Sequence, residues 1–395
     1  MLLNKLAVYL YDHLIGYLEC DRNNKMTFSY CIDAKFALSL SLPLKDKTFD
    51  DKNCRKYFRG ILPDNIVALE TLCQKMGTHP KDTFGLLKTY GKECIGAISF
   101  WGINEKHYEL QNRLIHAQIY PGNENIKLQQ SHNITLHSES DKKMDVCLID
   151  GKIALIETGH PATHLLKITD SDKIMNQYFC LRLAMTLDIQ CVLPKLYPLT
   201  KALGLLVERY DRRIIHFNHV QYFHQEDFSQ ALGYFSSHKY EWDNGPSLKE
   251  CFVILSKTIV PAIDKLQLVK RVIFNYLLGN TQAHAKNMSL VYYATAKPML
   301  APLYHVIATT DDTQMMAMKI GNNYTFESIN MEDWKIFCRE IKFSFCLFKQ
   351  LFQEIISILL MQAPKLREEL YLLKYNVKEI DKIIKSLKHR CERYQ

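Results

Sequence analysis

Apolar and polar positions alternate through the first thirty residues, and the alternation is interrupted at Asp21-Arg22-Asn23-Asn24, so Leu6 to Tyr30 reads as a β-hairpin around a turn. The opening stretch, Met1 to Leu10, is apolar without a basic leader or a small-residue cleavage site, and reads as a strand rather than a signal peptide. Phe36 to Leu44 alternates apolar residues with Ser before Pro43, which predicts a further strand buried on one face. After Pro63-Asp64-Asn65, Ile66 to Met76 has the spacing of a capped helix. These elements predict a small α+β unit ending near Gly102.

Residues 106 to about 141 are polar and irregular, with a loop at Pro121-Gly122-Asn123, and a domain boundary is expected there. Val146 to Ile156 reads as two short strands across Asp150-Gly151, His164 to Ile168 as a third, Ile174 to Leu187 as a helix, and Gly204 to Val207 as a strand. From Pro246 onward helical spacing dominates, over Leu248 to Thr258, Pro261 to Gly279, Trp334 to Met361 and Lys365 to Arg393. Phe343, Phe345, Phe348 and Phe352 follow that spacing and are expected in the core. The pattern predicts a β-rich lobe followed by an α-rich lobe, in three units of residues 1–105, 106–213 and 214–395.

With 47% hydrophobic and 23% charged residues, the composition is that of a globular chain. No run reaches the roughly 18 uncharged apolar residues of a spanning helix, the most apolar stretch being Ile355 to Met361. The 12 cysteines stand singly, with no Cys-x-x-Cys pair, a pattern that suits a reducing, cytoplasmic setting. A net charge of +8 is mild for 395 residues; it reads first as solvated surface and secondarily as weak attraction to acidic partners or nucleic acid.

The stretch Gly279-Asn280-Thr281-Gln282-Ala283-His284-Ala285-Lys286-Asn287-Met288-Ser289 has the layout of a phosphotransferase catalytic loop. In such loops an Asp takes the hydroxyl proton, and an Asn five positions later holds magnesium through its side-chain oxygen. Asn287 is in place, but Gln282 stands where the base belongs. A carboxamide positions a hydroxyl by hydrogen bonding and does not accept its proton at neutral pH. Other candidates are weaker. His160 and His164 flank a Pro-containing strand and lack helical metal-ligand spacing; Arg209, Arg212 and Arg213 read as ion pairs around Asp211 before they read as an anion patch. Lys382 to Arg390 is a basic amphipathic helix, first of all a solvated face.

Several segments, in order, resemble the HipA family, the kinase toxins of bacterial HipA/HipB toxin–antitoxin modules. They are Leu38 to Leu44, Tyr57 to Asp64, Phe84 to Leu87 and Gly96-Ala97, which look like the family's amino-terminal domain. Further on come Pro161 to Lys167, Val207-Glu208-Arg209-Tyr210-Asp211-Arg212-Arg213, the Gly279 loop and Pro302 to Ile307. The resemblance implies a bilobal protein-kinase-like α+β fold, with ATP and magnesium as cofactors of an active member and neither required of an inactive one. It makes Lys167 the nucleotide lysine, places Glu208 and Tyr210 near adenine, makes Asn287 a magnesium ligand, and has His284 and Lys286 shape the loop.

The chain departs from the family pattern at four places. Gln282 replaces the catalytic Asp, His305 replaces the metal-binding Asp, and Gln177 stands where an acid would pair with Lys167. The phosphate loop, whose autophosphorylated Ser falls at Ser138, has Glu139 in place of glycine. A lost base alone costs about a hundredfold to ten-thousandfold in rate. Taken as independent losses, these point to a pseudokinase that acts by binding a HipB-like DNA-binding antitoxin or a sister kinase subunit, touching DNA only indirectly and no membrane. One rival is an active Ser/Thr kinase toxin acting on a translation factor such as an aminoacyl-tRNA synthetase, with Asp311 and Asp312 as substitute metal ligands; another is a regulatory component of a DNA-bound complex. An engineered Asp-to-Gln exchange would account for Gln282 alone.

Overall fold

Tyr11 and Asp12 both adopt positive φ, 51° and 63°, the geometry of a tight hairpin turn between β1 (Asn4–Leu10) and β2 (His13–Cys20). The computed structural model describes residues 4–63, 69–70, 73, 77–107, 117–119, 142–149, 151–156, 161–199, 202–215, 219–293 and 296–395. A second turn at the expected Asp21 to Asn24 leads to β3 (Met26–Tyr30), and β4 (Thr48–Phe49) follows. α1 (Asp51–Ile61) is capped by Asp50 and buries Cys54, Tyr57, Phe58 and Ile61, and α2 (Thr83–Tyr90) is capped by Asp82. With β5 (Ile98–Gly102) the strands form an antiparallel sheet in the order β4-β3-β2-β1-β5, whose core includes Leu6, Leu18, Phe28, Phe58 and Phe100.

A second antiparallel sheet is built from β6 (Ala117–Ile119), β7 (Lys142–Ile149), β8 (Lys152–Ile156), β9 (His164–Ile168), β10 (Pro194–Pro198) and β11 (Leu203–Glu208), in the order β10-β11-β9-β7-β8-β6. α3 (Ser171–Met185) lies between β9 and β10, and packs on β11. The hinge after β11 leads through β12 (Arg212–Ile214) and β13 (Val220–Tyr222) into β14 (His224–Asp227), which pairs with β15 (Ser289–Tyr292) and it with β16 (Met299–Leu300). The rest is mainly helical: α4 (Phe228–Leu232), α5 (Leu248–Ile254), α6 (Pro261–Leu278), α7 (Met331–Glu340), α8 (Phe345–Leu372) and α9 (Lys378–Glu392), with the hairpin β17 (Met315–Ile320) and β18 (Asn323–Thr325). A β-rich half is thus followed by an α-rich half, as the hydrophobic pattern predicts.

Several expected elements differ. Phe36 to Leu44 forms turns around a single Ser39–Leu42 bridge, because its polar groups are drawn into tertiary contacts rather than a ladder. The Ser39 hydroxyl and the Leu40 amide donate to Glu226, and the Leu38 amide and Leu42 carbonyl bracket the Tyr30 hydroxyl. The helix expected over Ile66 to Met76 lies largely outside the described residues. Pro364 does not end a helix: it is exposed inside α8, which runs on to Leu372. The breaks fall instead at Lys342 and Lys374, both at positive φ.

α8 has the length and hydropathy of a membrane span, which the sequence reading did not anticipate. Its stripe Phe348, Leu351, Phe352, Ile355, Ile356 and Leu359 is nevertheless part of the main core. Phe348 and Phe352 are buried as expected, whereas Phe343 and Phe345 pack at the edge of that core.

Buried polar groups join the first unit to the second sheet and to the strands that follow the hinge. Arg209 makes a forked pair with Asp211 (Nε to Oδ1 3.0 Å, Nη2 to Oδ2 2.9 Å) and reaches Asp145 on β7. Arg212 contacts Asp211 at 2.9 Å, Glu93 at 3.0 Å and the carbonyls of Cys94 and Gly96. Burial alone would raise the Asp211 carboxyl, but the charges of Arg209 and Arg212 outweigh it and hold the group well below the usual carboxylate range. The second joint is Glu226, which accepts from Ser39 and Leu40 of the first unit and from Tyr292 at 2.6 Å. Burial pushes its carboxyl up to about 7 despite those hydrogen bonds.

Two stability measurements test these joints. Asp211→Asn leaves two buried guanidinium groups short of a counter-charge and is expected to cost about 3–5 kcal/mol in urea unfolding; a loss near zero would show the cluster to be incidental. The Glu226 carboxyl binds its proton more tightly folded than unfolded, so its contribution is fully present below about pH 4.5 and is lost as pH rises through about 7. Relative to Glu226→Gln, the wild type should lose roughly 3 kcal/mol between about pH 5 and pH 8; parallel pH profiles would refute this.

Candidate active site

The catalytic-loop segment begins where α6 ends. Gly279 closes that helix at φ +72°, and a Cβ there would collide with the guanidinium of Arg390. Arg390 is fully buried, donates to the carbonyls of Leu277 and Thr309, and pairs with Asp312. The C-terminal basic helix therefore presents a solvated face with one cation turned inward to fix the loop. Asn280 tightens the turn by accepting from the Gln282 amide at 2.9 Å and donating to Asn275. Asp312 is committed to Arg390, and Asp311 accepts from Thr313 and Gln314 in an exposed turn, so neither lines the cleft described next, contrary to the substitute-ligand expectation.

Lys167, Glu208, Tyr210, Lys286, Asn287 and His305 all line one cleft between the second sheet and the helical half. Gln282 and His284 stand outside its lining. The Gln282 side-chain oxygen accepts from the Tyr240 hydroxyl at 3.1 Å, and the Tyr240 ring sits edge-on to His284 at 5.6 Å. Asn287 donates from Nδ2 to the Gln282 carbonyl at 2.9 Å, which leaves its side-chain oxygen as the atom for a cation. Ser138 lies outside the described residues.

At the hinge end, the Tyr210 and Tyr304 rings stack at 5.7 Å with 25° between planes, and Leu165, Val192 and Val207 add apolar surface, a setting suited to a flat aromatic base. Glu208 is exposed at the rim. Arg209 and Arg212 are buried in ion pairs, as the spacing predicts, whereas Arg213 is exposed.

At the opposite end, Lys167 Nζ donates to Gln177 Oε1 at 3.0 Å, and Gln177 Nε2 lies 3.0 Å from His305 Nδ1. The neighbouring Asn176 clasps Ala308 through two 2.9 Å hydrogen bonds and so holds the His305 segment against α3. Two of the replacements taken as independent are therefore one hydrogen-bonded unit, and Gln177 orients Lys167 without a negative charge. An ammonium only donates, so it takes the amide oxygen; the amide nitrogen must then donate to Nδ1, and a neutral His305 carries its proton on Nε2.

Two cleft residues, Asp227 and Tyr304, have no role assigned from sequence, and a third, Lys143, falls at the lysine that closes the resembled phosphate loop. Lys143 stands directly across from Lys167 in the β7–β9 pair and lines the same space. Asp227 caps α4 and pairs with Lys286 at 3.1 Å; the Asp227-x-x-Gln230 capping box was its legible signal. Tyr304 carries no signal beyond its place beside His305.

Magnesium needs hard oxygen ligands, preferably carboxylates. Here the His305 Nδ1 lone pair is engaged, the lining carboxylates Asp211 and Asp227 are paired with Arg209, Arg212 and Lys286, and the third, Glu208, is exposed at the hinge-end rim. Among the described residues no group of three or more His, Cys, Asp or Glu side chains could hold a metal. The donor set does not match the ion.

A β-rich lobe, a hinge and a helical lobe around a cleft that carries a lysine and a catalytic-type loop define a kinase-like fold. The chain belongs to the HipA family: the profile for the HipA N-terminal domain matches residues 6–101, and that for the HipA-like C-terminal domain matches residues 140–365. It is 31% identical over 376 residues to Y4mE of Sinorhizobium fredii, named only provisionally as a kinase, covering 86% of each chain. It is 26% identical over 358 residues to the serine/threonine-protein kinase toxin HipA of Shewanella oneidensis, covering 82% of this chain and 80% of that one. The solved complex of Shewanella oneidensis HipA with HipB and operator DNA superposes with a TM-score of 0.84 at 22% identity, over 98% of this chain and 97% of that one.

If Gln177 and His305 act as a unit, a double-mutant cycle with Gln177→Ala and His305→Ala, read by urea unfolding, should return a coupling energy of about 0.5–3 kcal/mol. Additive losses would show that the two positions are independent.

Proposed function

We propose that this HipA-family chain is impaired in phosphoryl transfer and works by binding, in complex with a small DNA-binding protein of the HipB kind or a sister kinase subunit. The observation that carries this is the Lys167–Gln177–His305 chain, which fills the acid and metal positions with an amide and an imidazole. Gln282 adds to it, since its amide is turned to Tyr240 and takes no proton. The partner class is supported by the solved relative, which was crystallised with HipB and operator DNA. A binding role needs the fold, and the buried joints at Asp211 and Glu226 maintain it without nucleotide chemistry.

The rival reading, an active kinase acting on a translation factor, has in its favour that Lys167, Lys286 and Asn287 still converge on one cleft. Labelling with radioactive ATP and magnesium separates the two. The wild type is expected to incorporate no label above background, whereas the triple variant Gln177→Glu, Gln282→Asp and His305→Asp is expected to gain incorporation by about a hundredfold or more. Wild-type turnover in the range of ordinary kinases, about 1–100 per second, would overturn the proposal.

A further inference from the structure

Kinase sites balance the charge of a nucleoside triphosphate with a lysine held by an acid and with metal ions held in part by an aspartate. In this cleft those two acids are Gln177 and His305, so two negative charges have left the protein. Two is also the charge that one magnesium ion would bring. Removing both acids and the dication together leaves the balance between cleft and polyphosphate as it was.

The local hydrogen bonds support the same exchange. Lys167 fixes the orientation of the Gln177 amide, and the amide fixes the His305 tautomer, so the ring that lines the cleft has an N–H at Nε2 and no lone pair left for a metal. An N–H donor complements an anion. Lys143 lies directly opposite Lys167 on the neighbouring strand, and both side chains line the cleft. Ammonium groups placed side by side repel each other, and a polyanion between them turns that repulsion into attraction. Lys286 adds a further cation near Asn287, its charge shared with Asp227.

We propose that this cleft binds the polyphosphate of a nucleoside triphosphate without a divalent cation, Lys143 and Lys167 supplying the charge and His305 a hydrogen-bond donor. The inference rests on the reading that phosphoryl transfer is impaired, and it adds what the cleft still takes. The base is accommodated against Tyr210 and Tyr304, and the phosphates extend towards Lys143 and Lys167.

Titration calorimetry of the 395-residue chain with ATP, in EDTA and again with millimolar magnesium chloride, tests it. Binding is expected in EDTA, with magnesium leaving the affinity unchanged or weakening it. Lys167→Met should weaken binding in EDTA by about tenfold or more, as loss of a charge-assisted hydrogen bond does. Lys143→Met, at a less buried position, should weaken it in the same direction and guards against a folding defect in the first variant. The double variant Gln177→Glu and His305→Asp should reverse the preference, binding ATP more tightly with magnesium than in EDTA. Magnesium-dependent binding by the wild type without label transfer would overturn this inference and leave the proposed function standing, as would failure to bind ATP in either buffer. Magnesium-dependent binding with transfer would overturn both.

Discussion

The buried Arg209–Asp211–Arg212 cluster is the constraint on which the rest of the molecule depends. One carboxylate serves two guanidinium groups. Through them it reaches Asp145 on the second sheet, and Glu93, Cys94 and Gly96 at the end of the first unit. The Gly96 amide also donates to Asp211, so the hinge is held from three directions. A charged cluster of this kind contributes little net stability over a well-packed apolar one, but breaking it is costly. Its effect is therefore geometric. It ties the first unit and the second sheet to the segment that carries Tyr210.

A comparable economy operates in the catalytic machinery. The amide of Gln177 has one acceptor and one donor end, and the structure uses both, towards a group that only donates and a ring nitrogen that then accepts. A buried polar network is favourable when every member is satisfied and unfavourable when one is not. Both ends of the Gln177 amide are satisfied without any ion. The cleft keeps the shape of a kinase site while an amide and an imidazole stand where such sites carry acids, and shape and chemistry can part company on one fold.

Much of the architecture was legible. Alternation and helical spacing mark the two lobes because one face of each element is buried, and the turn at Asp21 to Asn24 is written in turn-forming residues. The Tyr11-Asp12 turn was not legible, since Tyr is an unusual residue at positive φ. It is held there by its hydroxyl, which donates to the Tyr292 carbonyl and accepts from the His224 amide. Leu38 to Leu44 misleads for a related reason: its alternation serves the buried Glu226, almost 190 residues away, rather than a neighbouring strand. In the site, motif order brought Lys167, Lys286, Asn287 and His305 together. No local pattern could reveal that Gln177 touches His305, because their 128-residue separation closes only in the folded chain.

The contact between Gln177 and His305 also makes the two replacements unequal. A carboxylate at position 305 could accept from the Gln177 amide, so His305→Asp by itself leaves every group in the chain paired. Gln177→Glu by itself does not: a carboxylate has no N–H to offer Nδ1, and the ring would have to move its proton or take a second one. A single change at 305 is thus tolerated on either side of the amide, whereas an acid at 177 needs an accompanying change in the ring. With its proton on Nε2 the imidazole fits the lysine arm only when the residue between them can donate, which ties that tautomer to the amide. Gln177 therefore decides which nitrogen of His305 carries the proton.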